Sequence, residues 1–373
     1  MSGSAGLSFG TIHPTEGANW IVIRLRTAGG LSGFGEATLG SHSAAILAGL
    51  EGMRQACNPN AEIVGEAVRL AKTWRAPDAL AASAVRCAIA QCELDLRSRQ
   101  AGQPASQFLG AASRADVALY ANINQGLRDR SPESFAQAAK NAAAAGFAAI
   151  KIAPCDGLSP SGFDSLAYRR ALDRIAAVRA AVCSSVLLMI DCHWRFAAPA
   201  ARQLIEDMTA IAPYWIECPL PEDRQNWPEI RNLRRLANMR GIKLAGAEKL
   251  TAPSEFDAIM AADCYDVIMP DVKYAGSPAQ ICAIAERATR RGIAISLHNP
   301  SGPVAHLVSL AVSAAIGGED LLEHQFAVAA DFGDLVGRPD LVIGGRSEVP
   351  VSPGLGIGEQ SPVERLLEAQ SDA

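Results

Sequence analysis

From residue 115 onward the sequence repeats one rhythm eight times: a short apolar run, mostly 4–6 residues long, then a longer amphipathic stretch. The runs are Val117–Ile123, Ala148–Ile152, Val186–Asp191, Tyr214–Glu217, Ile242–Ala245, Asp266–Met269, Ile293–Leu297 and Leu321–Gln325. Among the seven connecting stretches, Ser134–Ala145 and Leu166–Val182 show the clearest helical spacing. Short apolar strands joined by helices suit a parallel sheet covered on both faces. Eight of them predict an α/β protein built on an eight-stranded TIM-type β/α barrel. The connection after Gln325 is poor in helix signals, which makes this a modified barrel.

Ahead of the barrel, Trp20–Thr27 alternates in Ile and Val, meets Gly29-Gly30 and continues as Leu31–Glu36, the pattern of a hairpin. Ser43 to about Leu109 is rich in Ala and Leu at helical spacing, as in Ser83–Arg99. Little before Trp20 reads as a strand. The predicted organisation is an α+β domain over residues 1–112 and the barrel over 113–336. A Gly/Pro-rich segment over 337–373 is expected to return to the first domain. At 373 residues, two cores are expected rather than one.

Hydrophobic residues make up 49% and charged residues 20%, which excludes a disordered chain. The formal charge of −5 leaves no basic surplus for a nucleic-acid backbone, and no polybasic run marks an anionic membrane. Nine scattered cysteines without a CxxC pair point to neither a disulfide framework nor a structural zinc site. No apolar run reaches eighteen residues and no leader pattern opens the chain, so the expected setting is the cytoplasm.

Chemistry in such a barrel comes from the C-terminal strand ends. Read in order, these carry Lys151, Asp191 with His193, Glu217, Glu248, Asp271, His298 and Glu323. A single acid there could be a salt bridge or a helix cap. Asp191, Glu217 and Glu248, from three successive strands, instead suggest oxygen ligands of the kind that suit Mg²⁺ better than Zn²⁺. Cys192 and Cys218 read as small core residues, because strand alternation turns Cys192 away from Asp191. His193 is open to three roles: metal ligand, acid/base group or core histidine. Asp271 and His298 end neighbouring strands, where the carboxylate can fix the imidazole tautomer and raise its basicity.

These residues lie within AIKIAP, LLMIDCHWRF, WIECPLPEDR, AGAEKL, VIMPDVKYAG, ISLHNPSGP and LLEHQF. With GFGEA, ELDLRSRQAGQPASQFLG and PVSPGLGIG, they make residues 20 to 360 resemble the enolase superfamily, in its mandelate racemase/muconate lactonizing branch. Intervals of 26, 31, 23 and 27 residues separate Asp191, Glu217, Glu248, Asp271 and His298; all are usual there except the 31, whose excess is expected within Asn226–Arg240. The resemblance implies an N-terminal capping domain and one Mg²⁺ per subunit on Asp191, Glu217 and Glu248. It also implies an Asp271–His298 dyad, a Lys151 that adds positive charge, and a substrate contact by Glu323, with Asn299 and Trp194 lining the pocket. The family's usual second lysine on strand two is here Ala153, which cannot move a proton.

Asp191-x-His193 and the 25 residues from His298 to Glu323 resemble the acid-sugar dehydratases of galactonate and mannonate type, although Trp194 stands where those often carry glycine. The implied activity is that of a carbon–oxygen lyase. It removes the proton α to a carboxylate and releases the β-hydroxyl, leaving a 2-keto-3-deoxy acid, with His193 and His298 as acid and base in either order. A racemase, epimerase or cycloisomerase using the same imidazoles is the alternative within enzymes. A degenerate barrel, invited by Ala153, is the alternative outside them. The expected partner is a small carboxylate. Neither nucleic acid nor membrane is expected, and a homo-oligomer, dimer to octamer, follows by family analogy. Specificity is expected from Thr11–Gly17 and Leu39–Ser43, with His13 and His42 nearby.

Overall fold

The computed structural model describes residues 5–13, 19–58, 61–111, 114–317 and 321–369. The N-terminal part begins with an antiparallel sheet of β1 (Gly6–Ile12), β2 (Trp20–Arg26) and β3 (Ser32–Glu36). β2 and β3 are the hairpin read from sequence. β1 is a strand that the sequence reading lacked, because its small and polar residues (GLSFGTI) give a weak alternation. Four helices follow: α1 (Ser43–Ala56), α2 (Ile63–Thr73), α3 (Ala79–Gln100) and α4 (Ala105–Phe108). The GFGE sequence of β3 owes its glycines to α3. A Cβ on Gly33 would stand 2.3 Å from the Cys92 carbonyl oxygen, and one on Gly35 would stand 2.1 Å from that of Ala88. Only bare backbone lets strand and helix approach so closely.

Eight parallel strands match the eight apolar runs: β4 (Asp116–Asn122), β5 (Ala149–Ile152), β6 (Leu187–Asp191), β7 (Trp215–Glu217), β8 (Lys243–Gly246), β9 (Val267–Ile268), β10 (Ala294–Ile295) and β11 (Leu322–Gln325). Each pairs with the next as far as β10, and β11 pairs with β4. Ser296 Oγ donates to the Leu321 carbonyl at 2.7 Å between the last two strands. The connecting helices are α5 (Pro132–Ala144), α6 (Ser165–Ala181), α7 (Ala198–Asp207), α8 (Trp227–Met239), α9 (Pro253–Ala261), α10 (Pro278–Thr289) and α11 (Pro303–Ile316). All but α6 carry proline in the first turn, where the missing N–H costs nothing; α6 is capped by Asp164. The long 217-to-248 interval holds α8 and a preceding 3₁₀ turn, Arg224–Asn226.

Strand parity separates two kinds of burial. Ile150, Ile152, Leu188, Ile190, Ile216, Leu244 and Ile268 face the helices and belong to the main core. The alternate residues Tyr120, Ala149, Met189, Trp215, Ala245, Val267 and Met269 fill the barrel interior. Two residues further along, the interior parity places Asn122, Lys151, Asp191, Glu217 and Asp271 at the barrel mouth. Cys192 and Cys218 are buried off that parity, as alternation predicts.

After α12 (Phe332–Leu335), the tail forms a hairpin of β12 (Val342–Ile343) and β13 (Arg346–Glu348) that pairs antiparallel with β4. It then crosses to the N-terminal domain. Leu355 N–H donates to Asp95 Oδ1 at 2.8 Å, and α13 (Pro362–Ala369) packs on β1, with Leu366 against Gly10. The Gly/Pro-rich segment thus adds a strand to β4 before it reaches the cap. No helix among the described residues is long and apolar enough to cross a membrane.

Candidate active site

Lys151 lies 1% exposed at the end of β5. Its Nζ stands 2.8 Å from Glu217 Oε1 and 3.0 Å from Glu323 Oε1. Burial would lower its pKa, but Glu217 and Glu323 hold it well above the ordinary lysine value, so the group is an ammonium. The partners respond differently. Burial pushes Glu217 up to about 7 in spite of Lys151, with Asp191 and Glu323 adding to the rise. Glu323, equally buried, is drawn down to about 2 by Lys151, His298 and the Asn299 N–H. Asn122 Nδ2 (2.7 Å), Gln325 Nε2 (3.2 Å) and the Asn299 N–H (2.8 Å) all donate to Glu323, so its oxygens are well supplied with donors. Trp215 Nε1 donates to Glu217 Oε2 at 3.0 Å from the layer below.

Asp271 Oδ2 faces His298 Nδ1 at 2.8 Å, the adjacent-strand dyad expected from sequence. A carboxylate there keeps the proton on Nδ1 and leaves Nε2 as the basic nitrogen; Nε2 lies 3.6 Å from Glu248 Oε1. Lys273, not recognised from sequence, donates from Nζ to the same Asp271 oxygen at 2.6 Å. Although Asp271 is buried, Lys273 and His298 keep its pKa below the usual carboxylate value. Tyr274 Oη lies 3.1 Å from His298 Nδ1.

β6 ends at Asp191, so His193 does not continue the strand. It turns back through a left-handed backbone (φ 48°) to set Nε2 2.8 Å from Asp191 Oδ2. Trp194 (φ 58°), Cys218 (φ 45°) and Ala247 (φ 70°) share that uncommon conformation, Trp194 next to His193, Cys218 next to Glu217 and Ala247 next to Glu248. Strain in non-glycine residues gathers at functional sites, and no composition or periodicity signals it. Trp194 stacks near His193 at 6.3 Å and carries Lys249 Nζ over its ring at 3.6 Å.

Burial would raise Asp191, but His193 and Lys151 hold it below its ordinary pKa, and its charge adds to the rise of Glu217 and Glu248. Burial lifts Glu248 well above its ordinary pKa, and the charges of Asp191 and Glu217 add to the rise. Its Oε2 is buried without a hydrogen-bond partner. Crowded oxygen donors with an orphaned carboxylate oxygen fit a hard divalent cation. In this conformation Asp191 is turned to His193 and Glu217 to Lys151, and among the described residues no three ligating groups converge as a closed cage.

Asn299 is buried in the barrel wall, its Nδ2 on His306 Nδ1 (3.2 Å) and the Glu323 carbonyl (3.1 Å). Because Asn299 Nδ2 donates, His306 Nδ1 accepts, and His306 Nε2 donates to Ser347 Oγ at 3.1 Å. Ala153 is tied through its backbone to Asn124 Oδ1 and to an Arg130 guanidinium nitrogen, both at 2.6 Å. In the cap, His13 is exposed on Asn19 and His42 pairs with Asp78 at 2.5 Å; both contacts are with the cap itself. Of the expected specificity segments, residues 14–17 lie outside the described residues, and Leu39–Ser43 contains a 3₁₀ turn, Gly40–His42.

The fold is that of several solved structures. A dehydratase-titled structure from Mesorhizobium loti superposes with a TM-score of 0.85 at 20% identity over 99% of this chain and 98% of that one. A mandelate racemase/muconate lactonizing enzyme from Jannaschia sp. CCS1 gives 0.79 at 22%, over 98% and 96%. Among curated proteins, the chain is 32% identical to a D-gluconate dehydratase of Thermoproteus tenax over 74% of its length, spanning 53% of that relative. It is 26% identical to a D-xylonate dehydratase of Haloferax volcanii over 91% of this chain and 82% of the other. A D-galactonate dehydratase of Verminephrobacter eiseniae is 28% identical over 77% and 73%. Residues 5–110 match the mandelate racemase/muconate lactonizing enzyme N-terminal domain, and residues 134–360 match the enolase C-terminal domain-like family. With both halves matched over an enolase-type barrel, the chain belongs to the mandelate racemase/muconate lactonizing enzyme family of the enolase superfamily.

Proposed function

We propose that this protein is an acid-sugar dehydratase that converts an aldonate-type acid to a 2-keto-3-deoxy acid. The observation that carries the reading is the His298 imidazole. Asp271 backs its Nδ1 at 2.8 Å, and its Nε2 is left as a base facing the acid cluster. Curated relatives bearing gluconate, xylonate and galactonate dehydratase names support the substrate class. Asp191, Glu217 and Glu248 would hold Mg²⁺, as in this family, and the ion would supply charge neutralisation for the enediolate formed when the α-proton leaves. His298 Nε2 takes that proton. His193, beside Asp191, gives a proton to the departing β-hydroxyl. The buried Lys151 ammonium, fixed by Glu217 and Glu323, adds positive charge near the substrate carboxylate. Glu323 acts here through Lys151 and Asn299 by holding both in place. Asn299 and Trp194 complete the wall of the pocket.

The test is a screen of acid-sugar diastereomers with Mg²⁺, read as a semicarbazide-reactive keto acid. If no diastereomer yields a keto acid, the dehydratase reading is refuted. Two imidazoles at one mouth also favour a second reading, epimerisation. In D₂O that reaction puts deuterium on the α-carbon of recovered substrate without keto product.

A further inference from the structure

Two cap residues grip the backbone that follows each half of the dyad. Glu36, fully buried at the end of β3, accepts from the Gly302 N–H at 2.7 Å (Oε1) and from the Ala305 N–H at 3.0 Å (Oε2). These N–H groups open α11, immediately after the loop that carries His298 and Asn299. A carboxylate at that position satisfies two orphan donors and complements the helix dipole. The Glu36 N–H in turn donates to Gln91 Oε1 at 2.9 Å. Gln91, also fully buried on α3, donates from Nε2 to the Val272 carbonyl at 2.9 Å. Val272 lies between Asp271 and Lys273. The cap therefore holds the turn after β9 through Gln91 and the loop after β10 through Glu36, and hydrogen bonds of 2.9 and 3.5 Å between Gln91 and the Glu36 backbone join the two grips. The close fit leaves no slack. A Cβ on Gly302 would stand 2.7 Å from the Trp20 ring and 2.9 Å from Glu36 Oε2.

We infer that Glu36 and Gln91 are positioning residues that set the Asp271–His298 hydrogen bond, so that docking of the cap fixes the geometry of the base. Each dyad partner sits on its own turn, and the 2.8 Å contact between them requires the two turns to keep a common register. The inferred catalytic consequence rests on the dehydratase reading; the effect on the dyad's hydrogen bond does not.

The experiment follows the Nδ1 proton resonance of His298 in the substrate-free full chain labelled with ¹⁵N-histidine, assigned by its loss in His298→Asn. Gln91→Met keeps the volume and removes all three side-chain hydrogen bonds of Gln91; Glu36→Gln keeps the shape and removes the charge. Asp95→Asn is the control for cap packing, because Asp95 receives the N–H groups of Phe34 and Leu355 and touches neither turn. Gln91→Met and Glu36→Gln are expected to shift or broaden the resonance, while Asp95→Asn leaves it in place even if it melts earlier. On a turned-over substrate, the first two lower kcat about tenfold with KM little changed. An unmoved resonance in Gln91→Met, or an equal shift in Asp95→Asn, overturns the inference, and Gln91→Met decides the matter should Glu36→Gln not fold. Absence of any substrate would instead strike the dehydratase reading, since the resonance is read without one.

Discussion

His324 turns outward from β11 into a dry layer between Phe147, stacked at 5.8 Å, and Phe332, edge-on at 5.7 Å, with His306 at 5.4 Å. Burial lowers its pKa to about 4 from the ordinary 6.5, although the nearby Glu323 charge opposes the fall. The folded protein thus keeps the ring neutral while the unfolded chain protonates it below pH 6.5. Stability from this group is complete above that value and is lost as the pH falls toward 4. With those two values, the loss from pH 7.5 to pH 5.0 is about 2 kcal/mol. His324→Leu removes the titration at similar volume, and its constant packing cost cancels when each protein is compared with itself. Urea unfolding followed by circular dichroism at the two pH values is expected to show wild type losing about 2 kcal/mol more than the variant on acidification. Identical pH dependence in the two proteins would refute a neutral buried imidazole. His306 is held below its ordinary pKa first by burial and then by His324, so the variant keeps only the burial part of that group's pH dependence.

Lys151→Met strands Glu217 and Glu323 in the barrel without their cation and is expected to cost about 3–5 kcal/mol in urea unfolding, with turnover lost. His298→Asn should lower kcat by about 10²–10⁴ on any substrate the screen identifies, measured as keto-acid production. Glu217→Gln should weaken Mg²⁺ binding in calorimetric titration; an unchanged isotherm removes Glu217 from the ligand set. Gly35→Ala drives a methyl into the Ala88 carbonyl and should destabilise the cap by about 3 kcal/mol, read as a lowered urea midpoint.

The barrel was legible because parallel strands covered on both faces leave continuous apolar runs, and all eight are where those runs lie. Strand parity also foretold that Asp191 and Glu217 share a face that excludes Cys192 and Cys218. β1 escaped notice because only Leu7 and Phe9 carry the apolar side of its alternation, which Thr11 breaks. Asn122 was readable in principle: it ends β4 two residues after the interior-facing Tyr120, whereas Lys273 lies in the turn beyond β9, where strand parity no longer applies. The left-handed backbone at His193, Trp194, Cys218 and Ala247 was not readable, because these are residues that ordinarily avoid it. Nor was the Glu36–Gln91 grip, which joins residues 55 positions apart to loops more than 180 positions further on. Contacts at that separation leave no local pattern.

Helix α13 lies on β1, and Leu355 is bonded to Asp95. Synthesis releases the cap strands before the barrel and these tail residues after it, so the cap's packing is completed only once the barrel strands have been made. The tail contacts on β1 and Asp95 thus tie the cap to residues that follow the barrel in the chain.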